Sequence, residues 1–176
     1  DHLMFVTRIG DSGFKQTLEG LSSDDELIIS EPTRSFILPS ETHLPIVCLA
    51  GGIGITPFRS MVKHVVEQRL AIELTLMYAN RQPGDAALLA EFDAWADANP
   101  SFKFHPVTTK PDAADADWTG PTGYFTPEYL AAHLKAPHDR LYYLAGTPRF
   151  VAGVQNLLLQ FGVPEHMIKT DEFEGY

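Results

Sequence analysis

The sequence predicts an α/β protein built on a doubly wound, five-stranded parallel sheet that is preceded by a few strands of an antiparallel sheet. Three observations carry this prediction. From residue 45 onward, strand-like and helix-like stretches alternate without a break. The strand-like ones are solidly apolar, as in Pro45-Ile46-Val47-Cys48-Leu49-Ala50, and the first joins its helix through a glycine-rich turn. Strands covered by helices on both faces read as unbroken apolar runs, and strand-helix-strand spacing makes parallel neighbours.

The elements follow in order. Residues 3–9, 26–30 and 35–38 have strand character, and residues 14–21 form a short helix that ends in Ser22-Ser23-Asp24-Asp25. Pro39-Ser40-Glu41-Thr42-His43 supplies turn chemistry, which divides the chain into residues 1–40 and residues 44–176. So small a first part buries little apolar surface alone and must lean on the rest or on further strands. In the second part the pattern runs strand 46–50, helix 57–69, strand 72–78, helix 85–98 and strand 102–107. It continues with helix 127–134, strand 141–145, helix 149–161 and a last strand at 167–169. Ligands of such sheets bind beyond the carboxyl ends of the strands.

Composition narrows the function. In 176 residues the chain is 44% hydrophobic and 20% charged, ordinary values for a folded domain. A formal net charge of −10 offers no basic field to neutralise phosphates, which sets nucleic acid aside as a partner. The longest apolar run, residues 44–55, is shorter than the ~18 residues of a membrane span and is broken by glycines. The single cysteine, Cys48, excludes an intrachain disulfide and any multi-cysteine metal site, and it fits a reducing, cytoplasmic setting. The seven histidines show no metal spacing. The chain opens on Asp1 and runs at once into a strand, so the working protein is expected to extend upstream.

The most informative segment is Gly51-Gly52-Ile53-Gly54-Ile55-Thr56-Pro57, between the first parallel strand and its helix. Gly51, Gly52 and Gly54 lack the Cβ atoms that block a ligand, Thr56 suits an N-cap, and Pro57 suits the first helical position. Such a helix start presents free N–H groups and a dipole end to a pyrophosphate. The segment lacks the Lys-Ser/Thr ending of a P-loop, and Pro57 stands where the standard dinucleotide fingerprint has glycine or alanine. The alternative reading is a turn whose glycines serve only close packing.

The loop resembles the pyridine-nucleotide motif of the ferredoxin-NADP reductase superfamily, and later segments agree in order. Tyr78-Ala79-Asn80-Arg81 resembles the family's segment after the second strand, and Trp118-Thr119-Gly120-Pro121-Thr122-Gly123 its W-x-G-x-x-G turn. Leu144-Ala145-Gly146-Thr147-Pro148 resembles the C-G-P-P segment, and Ile168-Lys169-Thr170-Asp171-Glu172-Phe173 the closing E-x-F. Thr7-Arg8-Ile9, Asp11 to Lys15 and Glu31 to Phe36 resemble the latter half of the family's flavin-binding barrel. Departures are Ala145 for a cysteine, Thr147 for the first proline and Asp171 for the glutamate. The R-x-Y-S segment, which meets the flavin ring, falls before residue 1.

The resemblance implies an oxidoreductase that passes a hydride from NAD(P)H to FAD and electrons on to a separate acceptor protein or domain. Gly51, Gly52, Gly54, Ile55, Thr56 and Pro57 would anchor the pyrophosphate, with Asn80 and Arg81 near the adenosine. Thr56 and Asp171 would act at the reacting centre, with Gly146, Thr147 and Pro148 flanking the nicotinamide. Phe14 and Lys15 would meet the FAD pyrophosphate, and Phe173 or Tyr176 would cover the flavin. FAD is therefore expected of the intact protein and weak or absent in these 176 residues. Arg81 as a solvated arginine, and Phe173 and Tyr176 as a packed tail, stay open as alternatives. So does a nucleotide-binding regulatory or assembly module without redox activity. A hydrolase on a doubly wound sheet lacks its G-x-S-x-G elbow.

Overall fold

A computed structural model describes residues 3–8, 10–31, 36–112 and 118–173. Its centre is a five-stranded, all-parallel sheet in the order β3-β2-β1-β4-β5. The strands are β1 (Ile46–Gly51), β2 (Leu74–Asn80), β3 (Phe102–Thr108), β4 (Leu141–Gly146) and β5 (Ile168–Glu172). The helices are α1 (Gly13–Glu19), α2 (Thr56–Glu67), α3 (Leu89–Ala98), α4 (Pro127–His133) and α5 (Pro148–Gln160). The predicted parallel sheet is thus present, strand for strand.

Period-two geometry explains why the strands show no polar alternation. Along β1, Ile46, Cys48 and Ala50 face α2 and α3, where Phe58, Val62, Val65 and Phe92 close the core. Val47 and Leu49 face the other way, onto Leu130 of α4 and Val151, Val154 and Leu158 of α5. Both faces of the strand are dry, so every position must be apolar. The order reverses between β2-β1 and β4, and the carboxyl ends of β1 and β4 diverge there into a crevice.

Two boundaries differ from expectation. The helix foreseen from residue 85 begins at Leu89. Asp85 instead closes a 3₁₀ turn over Pro83–Asp85, its carboxylate accepting from the Gln82 N–H at 3.3 Å, and Leu88 then enters the left-handed region at φ 65°. Thr56, expected as an N-cap, is the first residue of α2. Gly52–Ile55 wind as a 3₁₀ turn that runs straight into the helix, Ile55 takes the cap position without a side-chain bond, and the Thr56 N–H donates to the Ile53 carbonyl.

Before residue 44 the predicted short helix is present as α1, but residues 3–8, 26–30 and 36–38 pair with no strand. Residues 9 and 35 of the predicted strands lie outside the described residues. The antiparallel part is therefore not formed by the described residues. Its apolar side chains lack partners: Leu3, Phe5 and Ile28 are 86%, 65% and 101% exposed. Isolated strands without a third partner and a covered face are marginal at best. Only the end of this part docks firmly. Phe36 packs edge-on against Phe58 and Tyr143, and the Tyr143 hydroxyl donates to the Ile37 carbonyl at 2.9 Å.

Candidate functional site

A cleft of about 850 Å³ opens above the carboxyl ends of the strands. Its floor is the glycine loop at Gly51, Gly52 and Ile53; one wall carries Asn80 and Arg81 from β2 and Thr109 and Lys110 from beyond β3; the opposite wall is α5. β2 and β3 stay joined past their ends, since the Thr109 N–H donates to the Asn80 carbonyl at 2.8 Å and the Lys110 N–H to the Arg81 carbonyl at 2.9 Å. Arg81 and Lys110 are thereby brought to the same wall of the cleft.

The three loop glycines are glycine for two different reasons. At Gly51 a methyl would lie 2.6 Å from Cγ of Phe150, whose ring covers the strand end. At Gly54 it would lie 2.5 Å from the Ala145 carbonyl carbon, so the loop can approach β4 only without a side chain. Gly52 alone has a left-handed φ, +55°, and open space around it, with Arg8 Nη2 the nearest atom at 3.7 Å. Close packing therefore accounts for Gly51 and Gly54, and access to the cleft for Gly52.

Electrostatics mark the cleft more sharply than shape. In a chain of net charge −10, Arg8, Arg81, Lys110 and Arg149 line one hollow, and among the described residues no Asp or Glu lines it with them. Arg8 also reaches the Asp85 carboxylate at 3.7 Å, both side chains being partly exposed. Arg149 stands in the first turn of α5, where a cation opposes the helix dipole and an anion beside it is favoured. Asn80 is 4% exposed, and its Oδ1 has no hydrogen-bond partner. A buried acceptor left unpaired costs roughly 1–3 kcal/mol, which a ligand hydroxyl or N–H would recover. Four cations, a glycine-bared loop and an orphan acceptor fit a phosphorylated ribonucleotide. Among the described residues no cluster of three or more His, Cys, Asp or Glu assembles for a metal ion.

The structure gathers some predicted site residues and separates others. Gly51, Gly52, Asn80, Arg81 and Thr147 line the cleft. Thr147 also caps α5, its Oγ1 accepting from the Phe150 N–H at 3.3 Å, and Pro148 is the first helical residue. Ile55 is fully buried beneath the loop, and its side chain offers the cleft no surface. Thr56 opens instead onto a neighbouring hollow of about 170 Å³ shared with Leu3, Met4, Val6, Arg59 and Ser60. Asp171 sits beside Ala145 in the β4–β5 register, half-buried, and burial holds its carboxyl above the usual range. The Gly146 carbonyl accepts from the Phe173 N–H at 2.8 Å, and the Phe173 ring packs on the α2 side of the core. Phe14 and Lys15 lie on α1, away from the cleft, with Phe14 67% exposed. Tyr176 lies outside the described residues.

Arg8, Lys110 and Arg149, together with the aromatic lining of Tyr124, Phe125 and Phe150, were not singled out as site residues by sequence reasoning. A signal existed for Arg149, since an arginine in a first helical turn works against the dipole. Lys110 had none, because only the strand register places it next to Arg81.

Residues 48–156 match the model of the oxidoreductase NAD-binding domain. Among curated relatives, the F component of the Na(+)-translocating NADH-quinone reductase of Methylococcus capsulatus is 33% identical over 163 residues, covering 88% of this chain and 39% of the relative. Its counterpart in Shewanella denitrificans is 31% identical, with 88% and 38% covered. The chain thus spans well under half the length of these relatives. Among solved structures, a ferredoxin NADP+ reductase from Neisseria gonorrhoeae with bound FAD and NADP superposes with a TM-score of 0.75 at 24% identity, covering 93% of this chain and 71% of that one. The cytochrome b5 reductase domain of Ulva prolifera nitrate reductase also gives 0.75 at 24% identity, with 92% and 66% covered. These two likenesses establish the fold. The family model covers more than half of the chain and coincides with the cleft-bearing sheet, and the chain belongs to the oxidoreductase NAD-binding domain family, with the ferredoxin reductase-like fold.

Proposed function

We propose that this chain is the nicotinamide-nucleotide half of a flavin-dependent oxidoreductase, taking NAD(P)H into the cleft so that a hydride passes to FAD and electrons pass on to a separate acceptor protein or domain. The observation that carries the binding half is that Arg8, Arg81, Lys110 and Arg149 line one cleft with the Gly51–Ile53 loop, and that among the described residues no Asp or Glu lines it with them. Phosphates are held there by the guanidinium and ammonium groups and by the N–H groups of the 3₁₀ turn. Asn80 Oδ1 accepts from a ribose hydroxyl, and Tyr124, Phe125 and Phe150 offer faces to flat rings. Thr56 and Asp171 are the proposed contacts around the nicotinamide, one from the loop and one from the strand beyond Ala145.

When bound, the nicotinamide supplies the hydride; the protein supplies its position. The described residues gather no FAD cradle, since Phe14 and Lys15 stand on α1 while Phe173 packs on the core beside α2. The redox half of the proposal therefore rests on kinship with the family. It carries with it a two-part organisation, residues 1–40 as part of a flavin barrel and 44–176 as the nucleotide domain, and a cytoplasmic place of work. Among the described residues no helix is long and apolar enough to cross a membrane.

The scatter of the flavin candidates favours one second reading, a nucleotide-binding regulatory or assembly module. One experiment separates them. NADPH or NADH is titrated into the chain by nicotinamide fluorescence, then FAD is added without oxygen and its visible absorption followed. Saturable binding with bleaching of the flavin supports the oxidoreductase. Binding without bleaching, with FAD shown by its own fluorescence to be bound, supports the module, and no nucleotide binding ends both readings.

A further inference from the structure

The cleft has two chemically different ends. Beyond Arg149 the cleft-lining part of α5 carries no charge, and the wall there is Gly153, Asn156, Leu157 and Gln160. Arg149, Gly153, Asn156 and Gln160 recur at steps of four, three and four, so they share one face of the helix. Seven residues separate Arg149 from Asn156, about 10 Å along the axis. That is the reach of an extended adenosine phosphate from its phosphorus to the far edge of its base.

Two further features of this face lack a packing reason. Gly153 is interior to α5, where glycine costs about 1 kcal/mol against alanine, yet a methyl there would meet nothing within 4 Å. It leaves a flat, open floor in the cleft wall. Asn156 and Gln160 are exposed, and neither side chain makes a hydrogen bond among the described residues. A free carboxamide presents one acceptor beside a pair of donors. Adenine presents the complementary pair, an exocyclic amino donor beside a ring-nitrogen acceptor.

We propose that Asn156, assisted by Gln160, reads the edge of an adenine base lying on the Gly153 floor, so that this face of α5 sets the base specificity of the cleft. The inference rests on the nucleotide reading above and deepens it. The edge read is the one that sets the amino group beside N7: there a base with an oxygen in place of the amino group turns two acceptors toward the carboxamide and loses one of two bonds.

The test compares NADH with its hypoxanthine analogue, which carries a carbonyl oxygen in place of the amino group and a proton on N1, by calorimetric titration of the whole chain. Wild type is expected to bind NADH roughly 5- to 30-fold more tightly, the worth of one hydrogen bond to a site left unpaired. In Asn156→Ala/Gln160→Ala, with its fold checked by circular dichroism, the preference is expected to fall within about twofold while phosphate-driven binding persists. Equal affinities in wild type, or a preference that survives the double variant, would overturn the proposal. Wild type binding neither dinucleotide would remove the nucleotide reading and the inference together. Gly153→Ala gives an independent check: the melting temperature should rise and NADH affinity fall, and unchanged affinity would overturn the floor.

Discussion

Gly54 lies against Ala145 so closely that a methyl on it would stand 2.5 Å from the Ala145 carbonyl carbon and 2.6 Å from Gly146 Cα. Neither neighbour is a flexible side-chain end, so Gly54→Ala must push the loop off β4. It is expected to lower unfolding stability by roughly 1–3 kcal/mol, as overpacking at a fixed backbone does. Gly52→Ala places its methyl in open cleft at a left-handed φ of +55° and is expected to cost about 1–2 kcal/mol in strain. Its larger effect should fall on nucleotide binding. Denaturant melts paired with NADH titrations check this, and proportional losses of stability and affinity in both variants would refute the division of labour.

Arg149 supplies the second prediction. It works against the α5 dipole and lines the cleft, and among the described residues no carboxylate lines the cleft beside it. Arg149→Ala is expected to weaken NADH and NADPH by similar factors, roughly 10- to 30-fold for one charge-assisted bond of about 1.5–2 kcal/mol. It should also flatten the dependence of affinity on salt. Loss of affinity for only one nucleotide would place Arg149 at a group the two do not share.

The same residues show what was legible in the sequence. β1 could be recognised because a strand dry on both faces has no polar position to hide it, and the same holds for β2 and β4. The glycine loop was legible as a turn, but the reason for each glycine was not. Gly51 answers to Phe150, far away in sequence, and Gly54 to Ala145. Thr56 has the chemistry of an N-cap, yet a 3₁₀ turn ahead of it takes that place. The Arg81–Lys110 pair depends on β2–β3 register, which no local pattern carries. Residues 3–8 and 26–30 have the apolar character of strands, but pairing needs a partner strand that the described residues do not offer.

The third prediction concerns pH. His105 on β3 meets the His133 ring of α4 at 4.7 Å, and the His133 Nδ1 pairs with the Tyr129 carbonyl at 2.8 Å. Burial first, then the His133 and Lys103 charges, pull the His105 pKa down from 6.5 to about 4. The unfolded chain therefore binds the proton more readily than the folded one throughout that window. Stability is fully present above pH 6.5 and falls as the pH drops toward about 4. In His105→Gln this part of the decline should vanish. Urea melts of both proteins across the window check it, and parallel curves would show that His105 carries none of the dependence.

The last prediction concerns the choice between NADH and NADPH, which differ by one phosphate on the adenosine ribose. β2 ends on Asn80, with Arg81 next and no carboxylate, whereas an acidic residue near that point holds the ribose hydroxyls in NAD-specific sheets and repels the extra phosphate. Arg81 and Lys110 are joined through the Lys110 N–H to Arg81 carbonyl bond at 2.9 Å, and both line the cleft. Two cations on one wall suit a dianionic phosphate better than a pair of hydroxyls, and the acid nearest them in sequence, Asp112, accepts from Gln82 Nε2 at 2.7 Å. Each charge-assisted bond to a phosphate is worth about 1.5–3 kcal/mol in a partly desolvated site. Arg81→Ala and Lys110→Ala are each expected to weaken NADPH by at least about tenfold and NADH by much less. The Arg81→Ala/Lys110→Ala double variant should then bind the two nucleotides alike. Affinities measured side by side at one ionic strength decide the matter, because exposed cations lose their hold as salt rises. Equal losses for both nucleotides would move the pair from the ribose phosphate to the shared pyrophosphate, and no loss for either would return both side chains to solvent.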